Sequence, residues 1–223
     1  MDYPKKIQSI HQIEITSRCN LACPYCVSKD LRRDKMDMSI ATYLHALTWV
    51  DQFVMQGTQK ELNLAGIGES TIHPRFVEYV ALARKMLGNN VRLVVASNGL
   101  AITDELARAL QPYNLRVYIS MHRPEKAGPA IEILKKYKLI DGYSIDPSLN
   151  AIDWAGQVDW YVSCEFTTCP FLSNGYVMVM ADGRITTCCL DGLGLGVIGD
   201  IRDDVDQLQL KPYELCKTCH HIH

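Results

Sequence analysis

Short apolar runs alternate along the chain with longer stretches whose apolar residues recur every three or four positions. That pattern predicts strands interleaved with amphipathic helices. Strands are expected over 12–16, 61–65, 91–96, 115–120, 142–145 and 159–163, and helices over 39–55, 75–87, 103–110 and 124–137. In the first helix, Tyr43, Leu47, Val50 and Val54 fall on one face, a stripe expected in the core. Ser39 and Thr103 stand where N-caps belong, and Asp104 and Glu105 put acid in a first turn, where the helix dipole favours it.

This βα alternation predicts an α/β fold. A closed eight-unit barrel needs ~250 residues, and the alternation here ends near residue 163, enough for about six units. The expected architecture is therefore a partial (βα)6 TIM-like barrel. Its polar and glycine-rich segments at 19–26, 66–69, 97–99, 120–123 and 146–150 follow the strands, so they should converge at the strand C-terminal ends, where such barrels build their sites. Beyond residue 164 the pattern changes. Runs at 176–180 and 184–187 flank Ala181-Asp182-Gly183, a hairpin signal, and a short helix is expected near 204–208 before a cysteine-rich tail. Two domains are expected, 1–163 and 164–223, with the tail packed on the barrel because no flexible Gly/Ser linker separates them.

Composition narrows the function classes. With 48% hydrophobic and 22% charged residues, the chain reads as an ordinary soluble globular protein. A net charge of −2 gives no broad basic field for nucleic acid or anionic membrane, and no apolar run approaches membrane-spanning length. Nine cysteines without a signal peptide, grouped in C-x2-C units, fit metal binding in a reducing cytoplasm better than a disulfide scaffold.

Three of those cysteines form Cys19-Asn-Leu-Ala-Cys23-Pro-Tyr-Cys26, directly after Ile13-Glu14-Ile15-Thr16. An iron–sulfur cubane normally takes four thiolates. A loop offering three leaves one iron open to a further ligand, the arrangement that makes a metal site reactive. The C-x3-C-x2-C spacing resembles the signature of the radical S-adenosylmethionine (SAM) superfamily. The resemblance implies a SAM-binding 4Fe–4S cluster on Cys19, Cys23 and Cys26, with SAM on the open iron.

Other segments extend the resemblance. Gly66-Ile67-Gly68-Glu69-Ser70 is similar to the family's Gly-Gly-Glu-Pro motif, departing from it at Ile67 and Ser70. Here the glycines are expected to let the backbone approach a ligand, and Glu69 to accept from the SAM ammonium. Ser97-Asn98-Gly99 resembles the segment that meets the SAM ribose and carboxylate. Ser120 and Arg123 stand where family members place polar contacts, and Tyr25 is expected against the adenine. As plain sequence, the same segments also read as turns and a solvated arginine.

Cys169, Cys188, Cys216 and Cys219, with Gly183-x4-Cys188 and Cys216-Lys-Thr-Cys219, resemble the short SPASM-like domain called twitch. The resemblance implies an auxiliary 4Fe–4S cluster on those four, with Cys189 outside the ligand set. A four-cysteine zinc site uses the same ligand count. Cys164 and Cys189 are read as buried apolar thiols, and His220, His221 and His223 as a solvated terminus.

The leading expectation is a radical SAM enzyme that abstracts hydrogen from a small-molecule or carrier-borne substrate, fed by an external donor such as flavodoxin or ferredoxin. Full cysteine ligation of the second cluster points to electron transfer, hence net oxidation. Alternatives are a radical isomerase acting on a modified nucleoside or other biosynthetic intermediate, a peptide-modifying enzyme, and a zinc-stapled binding protein without catalysis. Only 18 residues precede Cys19, which favours the small or carrier-borne substrate over a peptide. No catalytic acid or base is legible.

Overall fold

A computed structural model describes residues 3–121, 123–144, 153–160 and 168–219. Five strands, β1 (Ser9–Ile13), β2 (Glu61–Asn63), β3 (Arg92–Ser97), β4 (Arg116–Ile119) and β5 (Ile140–Tyr143), are joined by helices α1 (Ile40–Met55), α2 (Phe76–Leu87), α3 (Asp104–Leu110) and α4 (Pro124–Lys136). A fifth short helix, α5 (Pro170–Asn174), leads into β6 (Tyr176–Val179), β7 (Arg184–Thr186) and β8 (Val197–Asp200). All eight strands share one open sheet in the order β5-β4-β3-β2-β1-β6-β7-β8. This is the expected unclosed α/β architecture.

Local chemistry explains the helix boundaries. Ser39 Oγ accepts from the Thr42 amide at 3.1 Å and Thr103 Oγ1 from the Leu106 amide at 3.1 Å. Each satisfies a donor that the first turn leaves orphaned. The stripe on α1 buries Tyr43, Leu47 and Val50 completely against the sheet. Alternate strand residues meet it, including Leu62, Leu64, Leu93, Val95, Val117 and Ile119. Each such side chain contributes about 1.5–3 kcal/mol on burial. Tyr43 and Tyr79 lie with ring centroids 4.4 Å apart, and Tyr43 donates to the Tyr79 carbonyl, so α1 and α2 are locked together.

Strand pairing departs from the expectation at the centre of the sheet. β6 lies parallel to β1, with Ser9 opposite Tyr176 and Ile13 opposite Val179, while β7 and β8 return antiparallel. This pairing draws β1 back to Ser9, three residues before its predicted start at Gln12. The expected strand at 159–163 is absent at Asp159 and Trp160, and its remainder lies outside the described residues, as do 146–150. Near 204–208 the chain makes a single 3₁₀ turn, Val205–Gln207, capped by Asp204. The boundary expected at 163–164 also falls outside the described residues, and on its far side β6 continues the same sheet.

Candidate active site

The loops after β1 to β4 enclose a cavity of about 260 Å³, lined by Cys19, Cys23, Tyr25 and Cys26, by Gly66 to Glu69, by Ser97 and Asn98, and by Ser120. The cysteine loop is folded on itself: the Cys26 amide donates to the Cys23 carbonyl at 3.1 Å, and Cys19 Sγ accepts from the Leu21 amide at 3.4 Å. Burial pushes the Cys19 thiol up, and Cys26 up to about 11. A bound cation would draw the protons off these two thiols. Three sulfur donors facing one chamber fit a three-thiolate cluster. The cavity left beside them has room for a ligand.

Glu69, 3% exposed, holds the cavity wall together. Its Oε1 accepts from the Thr71 amide and hydroxyl and from Ser97 Oγ at 2.8 Å; Oε2 accepts from the Asn98 amide at 2.7 Å. A carboxylate has about four lone-pair sites. Oε1 is already fully engaged, so the spare accepting capacity belongs to Oε2. Asn98 in turn donates from Nδ2 to Asn20 Oδ1 at 2.8 Å, tying the β3 loop to the cysteine loop, and the Ser120 amide donates to the Ser97 carbonyl. Glu69, Ser97 and Asn98 thus fasten three loops around one space.

The glycines, which line the cavity, are also required by contacts that the sequence does not show. A Cβ on Gly66 would lie 2.5 Å from Glu14 Cβ, and one on Gly68 would lie 2.2 Å from the Thr16 carbonyl oxygen and 2.5 Å from that of Arg18. Their close approach is to the protein's own first strand and cysteine loop.

Two residues that sequence reasoning did not single out organise the site. Glu14 is fully buried, and its Oε2 accepts from Arg33 Nη2 at 2.7 Å and from the Ile67 amide at 3.0 Å. Its Oε1 accepts from the Ala181 amide at 3.2 Å, and Arg33 Nε donates to the Gly192 carbonyl at 2.9 Å. The available signal was a carboxylate between two isoleucines in an apolar run. Trp154 lines the cavity, and its Nε1 donates to the Tyr25 carbonyl at 2.9 Å. The Tyr25 ring lies 5.3 Å from that of Trp160, and burial beside Cys23 and Cys26 raises its hydroxyl pKa.

Arg123 is not brought to the cavity lining. It precedes α4, pairs with Glu125 at 3.3 Å and is 49% exposed. His73 accepts the Arg75 amide on Nδ1 and packs on Tyr79, a helix-start role.

Cys169, Cys188, Cys216 and Cys219 line a second, smaller cavity together with Ala155, Leu172, Thr187, Tyr213 and Leu215. Cys189 is not part of that lining and packs with Cys169, Phe171 and Leu172. Backbone amides point at three of the sulfurs: Leu172 at Cys169, Leu190 at Cys188 and Tyr213 at Cys216. Burial raises the Cys169 and Cys216 thiols, whereas contact with the Cys189 thiol favours the Cys188 thiolate. Among the described residues no three Cys, His, Asp or Glu side chains gather around a single-ion position. Consecutive residues Trp154 and Ala155 line the first and second cavities. Cys164 and the C-terminal histidines lie outside the described residues.

The sequence profile described as the radical SAM superfamily matches residues 13–175. The chain belongs to this superfamily. A SAM-binding 4Fe–4S cluster and SAM are the cofactors that membership implies, and the three-cysteine cavity fits them. The tungsten-containing aldehyde ferredoxin oxidoreductase cofactor-modifying protein of Pyrococcus furiosus is 34% identical over 110 residues, 49% of this chain and 29% of that protein. Mycofactocin maturase MftC of Mycobacterium tuberculosis is 31% identical over 97 residues, 44% of this chain and 23% of its own length. The chain thus matches less than a third of each curated relative. Among solved structures, BtrN in complex with AdoMet and 2-DOIA superposes with a TM-score of 0.73 at 17% identity, covering 89% of this chain and 80% of BtrN. Native anSMEcpe with bound AdoMet gives 0.63 at 18%, covering 93% and 85%. These two share the fold. No helix among the described residues is long and apolar enough to cross a membrane.

Proposed function

We propose that this enzyme uses SAM to abstract hydrogen from a small-molecule or carrier-borne substrate and completes a net oxidation with help from a second cluster. The carrying observation is convergence: three cysteines and the polar groups after β2, β3 and β4 line one cavity. When bound, the 4Fe–4S cluster and SAM supply an electron and a 5′-deoxyadenosyl radical. Cys19, Cys23 and Cys26 would hold the cluster. Glu69 Oε2 would accept from the SAM ammonium, Ser97, Asn98 and Ser120 would orient the remaining polar groups, and Tyr25 would lie against the adenine. Arg123, away from the lining, would need to swing inward to contribute.

Gathering of Cys169, Cys188, Cys216 and Cys219 around one cavity supports an auxiliary 4Fe–4S cluster in a twitch-like unit spanning 164–223. Four thiolates would leave no iron open to substrate, so the role assigned to it is accepting an electron. A flavodoxin or ferredoxin would be the external donor in a reducing cytoplasm.

The test is the Cys19→Ala/Cys23→Ala/Cys26→Ala variant. It should lose one cluster's iron and all reductive SAM cleavage while keeping about four irons on the second site. Continued 5′-deoxyadenosine formation would overturn the first assignment, and zinc in place of iron the second. A product two hydrogens lighter than substrate supports oxidation, and one of unchanged mass the isomerase. A second reading, maturation of a peptide or carrier-bound cofactor, draws support from the partial similarity to a maturase and a cofactor-modifying protein.

A further inference from the structure

Tyr213 carries a polar group that nothing above uses. Its hydroxyl oxygen is buried and has no hydrogen-bond partner among the described residues. Leaving a buried donor unsatisfied is costly, so such a group calls for a partner in the working protein. The residue lines the second cavity, and its hydroxyl faces the Cys188 thiol.

The ring is held in that position from both ends. Its own backbone amide donates to Cys216 Sγ at 3.5 Å, fixing the start of the last cysteine pair. On the other side, a Cβ at Gly196 would come within 2.4 Å of the ring atoms Cε1 and Cζ, so the ring lies flat on a glycine backbone. One residue therefore touches Cys216 through its main chain and reaches across to Cys188 through its side chain. A phenol O–H can donate a hydrogen bond as well as accept one.

We propose that Tyr213 donates a hydrogen bond to the Cys188 thiolate when the second cavity holds its iron–sulfur cluster, and thereby sets how readily that cluster accepts an electron. The inference rests on the auxiliary-cluster reading. Reduction adds negative charge to the sulfurs, and a donor aimed at one of them stabilises the reduced form more than the oxidised form. Hydrogen bonds to cluster sulfur are among the protein's levers on potential. Tyr213 would be a positioning residue, raising the midpoint potential of the acceptor.

The experiment uses the Cys19→Ala/Cys23→Ala/Cys26→Ala chain, in which the second site is the sole cluster, with and without Tyr213→Phe. Iron content and a redox titration followed by electron paramagnetic resonance are read on both. The expected result is retained iron with the midpoint shifted to lower potential in Tyr213→Phe. An unchanged midpoint with iron retained overturns this inference alone. Zinc, or no iron, in the chain that keeps Tyr213 overturns the auxiliary-cluster reading and this inference with it. If Tyr213→Phe fails to keep iron, site-specific replacement of Tyr213 by fluorotyrosine, a stronger donor of nearly the same shape, decides. A midpoint shifted to higher potential supports the hydrogen bond, and an unchanged midpoint overturns it.

Discussion

Arg33 and Glu14 form a buried ion pair, 2.7 Å between Nη2 and Oε2, with side chains 7% and 0% exposed. Through it the cysteine loop, the β2 loop and the β6–β7 turn meet at one carboxylate, since Ile67 and Ala181 donate to the same group. A buried charge left alone is costlier than the pair is stabilising. Arg33→Met should therefore destabilise the fold by about 3–5 kcal/mol. Glu14→Gln should also destabilise, because it leaves the Arg33 charge buried beside a neutral amide. Denaturant midpoints of both variants should fall below that of the parent, and a parent-like midpoint in either would contradict the account.

Gly68→Ala should damage the site more than its size implies. The added Cβ meets main-chain oxygens of Thr16 and Arg18, which cannot swing aside as a side chain would. The cysteine loop must shift, so iron incorporation at Cys19, Cys23 and Cys26 should fall sharply while the far-ultraviolet circular dichroism stays near that of the parent. Normal iron loading in Gly68→Ala would show that the loop tolerates the displacement.

Glu69→Ala removes both the latch on Ser97 and Asn98 and the spare capacity of Oε2. Loss of a charge-assisted bond should weaken SAM binding by about 1.5–3 kcal/mol, read by calorimetry on the reconstituted protein. Affinity equal to the parent would move the ammonium site elsewhere.

His11 gives the fold a pH dependence with a defined sign. It stacks on Tyr176 at 4.9 Å and meets Phe171 edge-on at 5.3 Å, bridging β1, β6 and α5. Burial lowers its pKa below the ordinary imidazole value of about 6.5, opposed in part by Glu61. The unfolded chain then binds the proton more readily than the folded one. The stability His11 contributes is present above about pH 6.5 and is lost as pH falls through its lower folded value. Melting temperatures of parent and His11→Phe should diverge in slope below pH 6.5, the variant being flatter. Parallel curves would remove His11 from the account.

Much of the framework was legible because its causes are local. The caps at Ser39 and Thr103, the α1 stripe and the alternation of βα units all act within a few residues of themselves, and the helices begin and end within a residue of where they were expected. Cysteine spacing is local too, and the structure brings each set of cysteines to its own cavity. What escaped was non-local. Nothing near Ser9 or Tyr176 announces that they pair across the sheet. The demand for glycine at positions 66 and 68 comes from Glu14, Thr16 and Arg18 some fifty residues earlier. Trp154 sits in a segment without periodicity, where a positive φ of 53° and the indole hydrogen bond to the Tyr25 carbonyl, not a pattern, place it at the cavity.

The place of β6 beside β1 bears on how the enzyme comes into being during synthesis. β1 leaves the ribosome long before its second neighbour, which starts at Tyr176. Until then its edge offers unpaired amides and carbonyls to any passing strand, and the Glu14 amide lacks the Val179 carbonyl it finally bonds. Pairing so distant in sequence is slow to form and leaves the nascent chain prone to aggregation. The first cysteine cavity, whose Glu14 anchor needs the Ala181 amide, therefore closes only after β6 has joined, and iron and sulfide for its cluster must reach a chain already made past that strand.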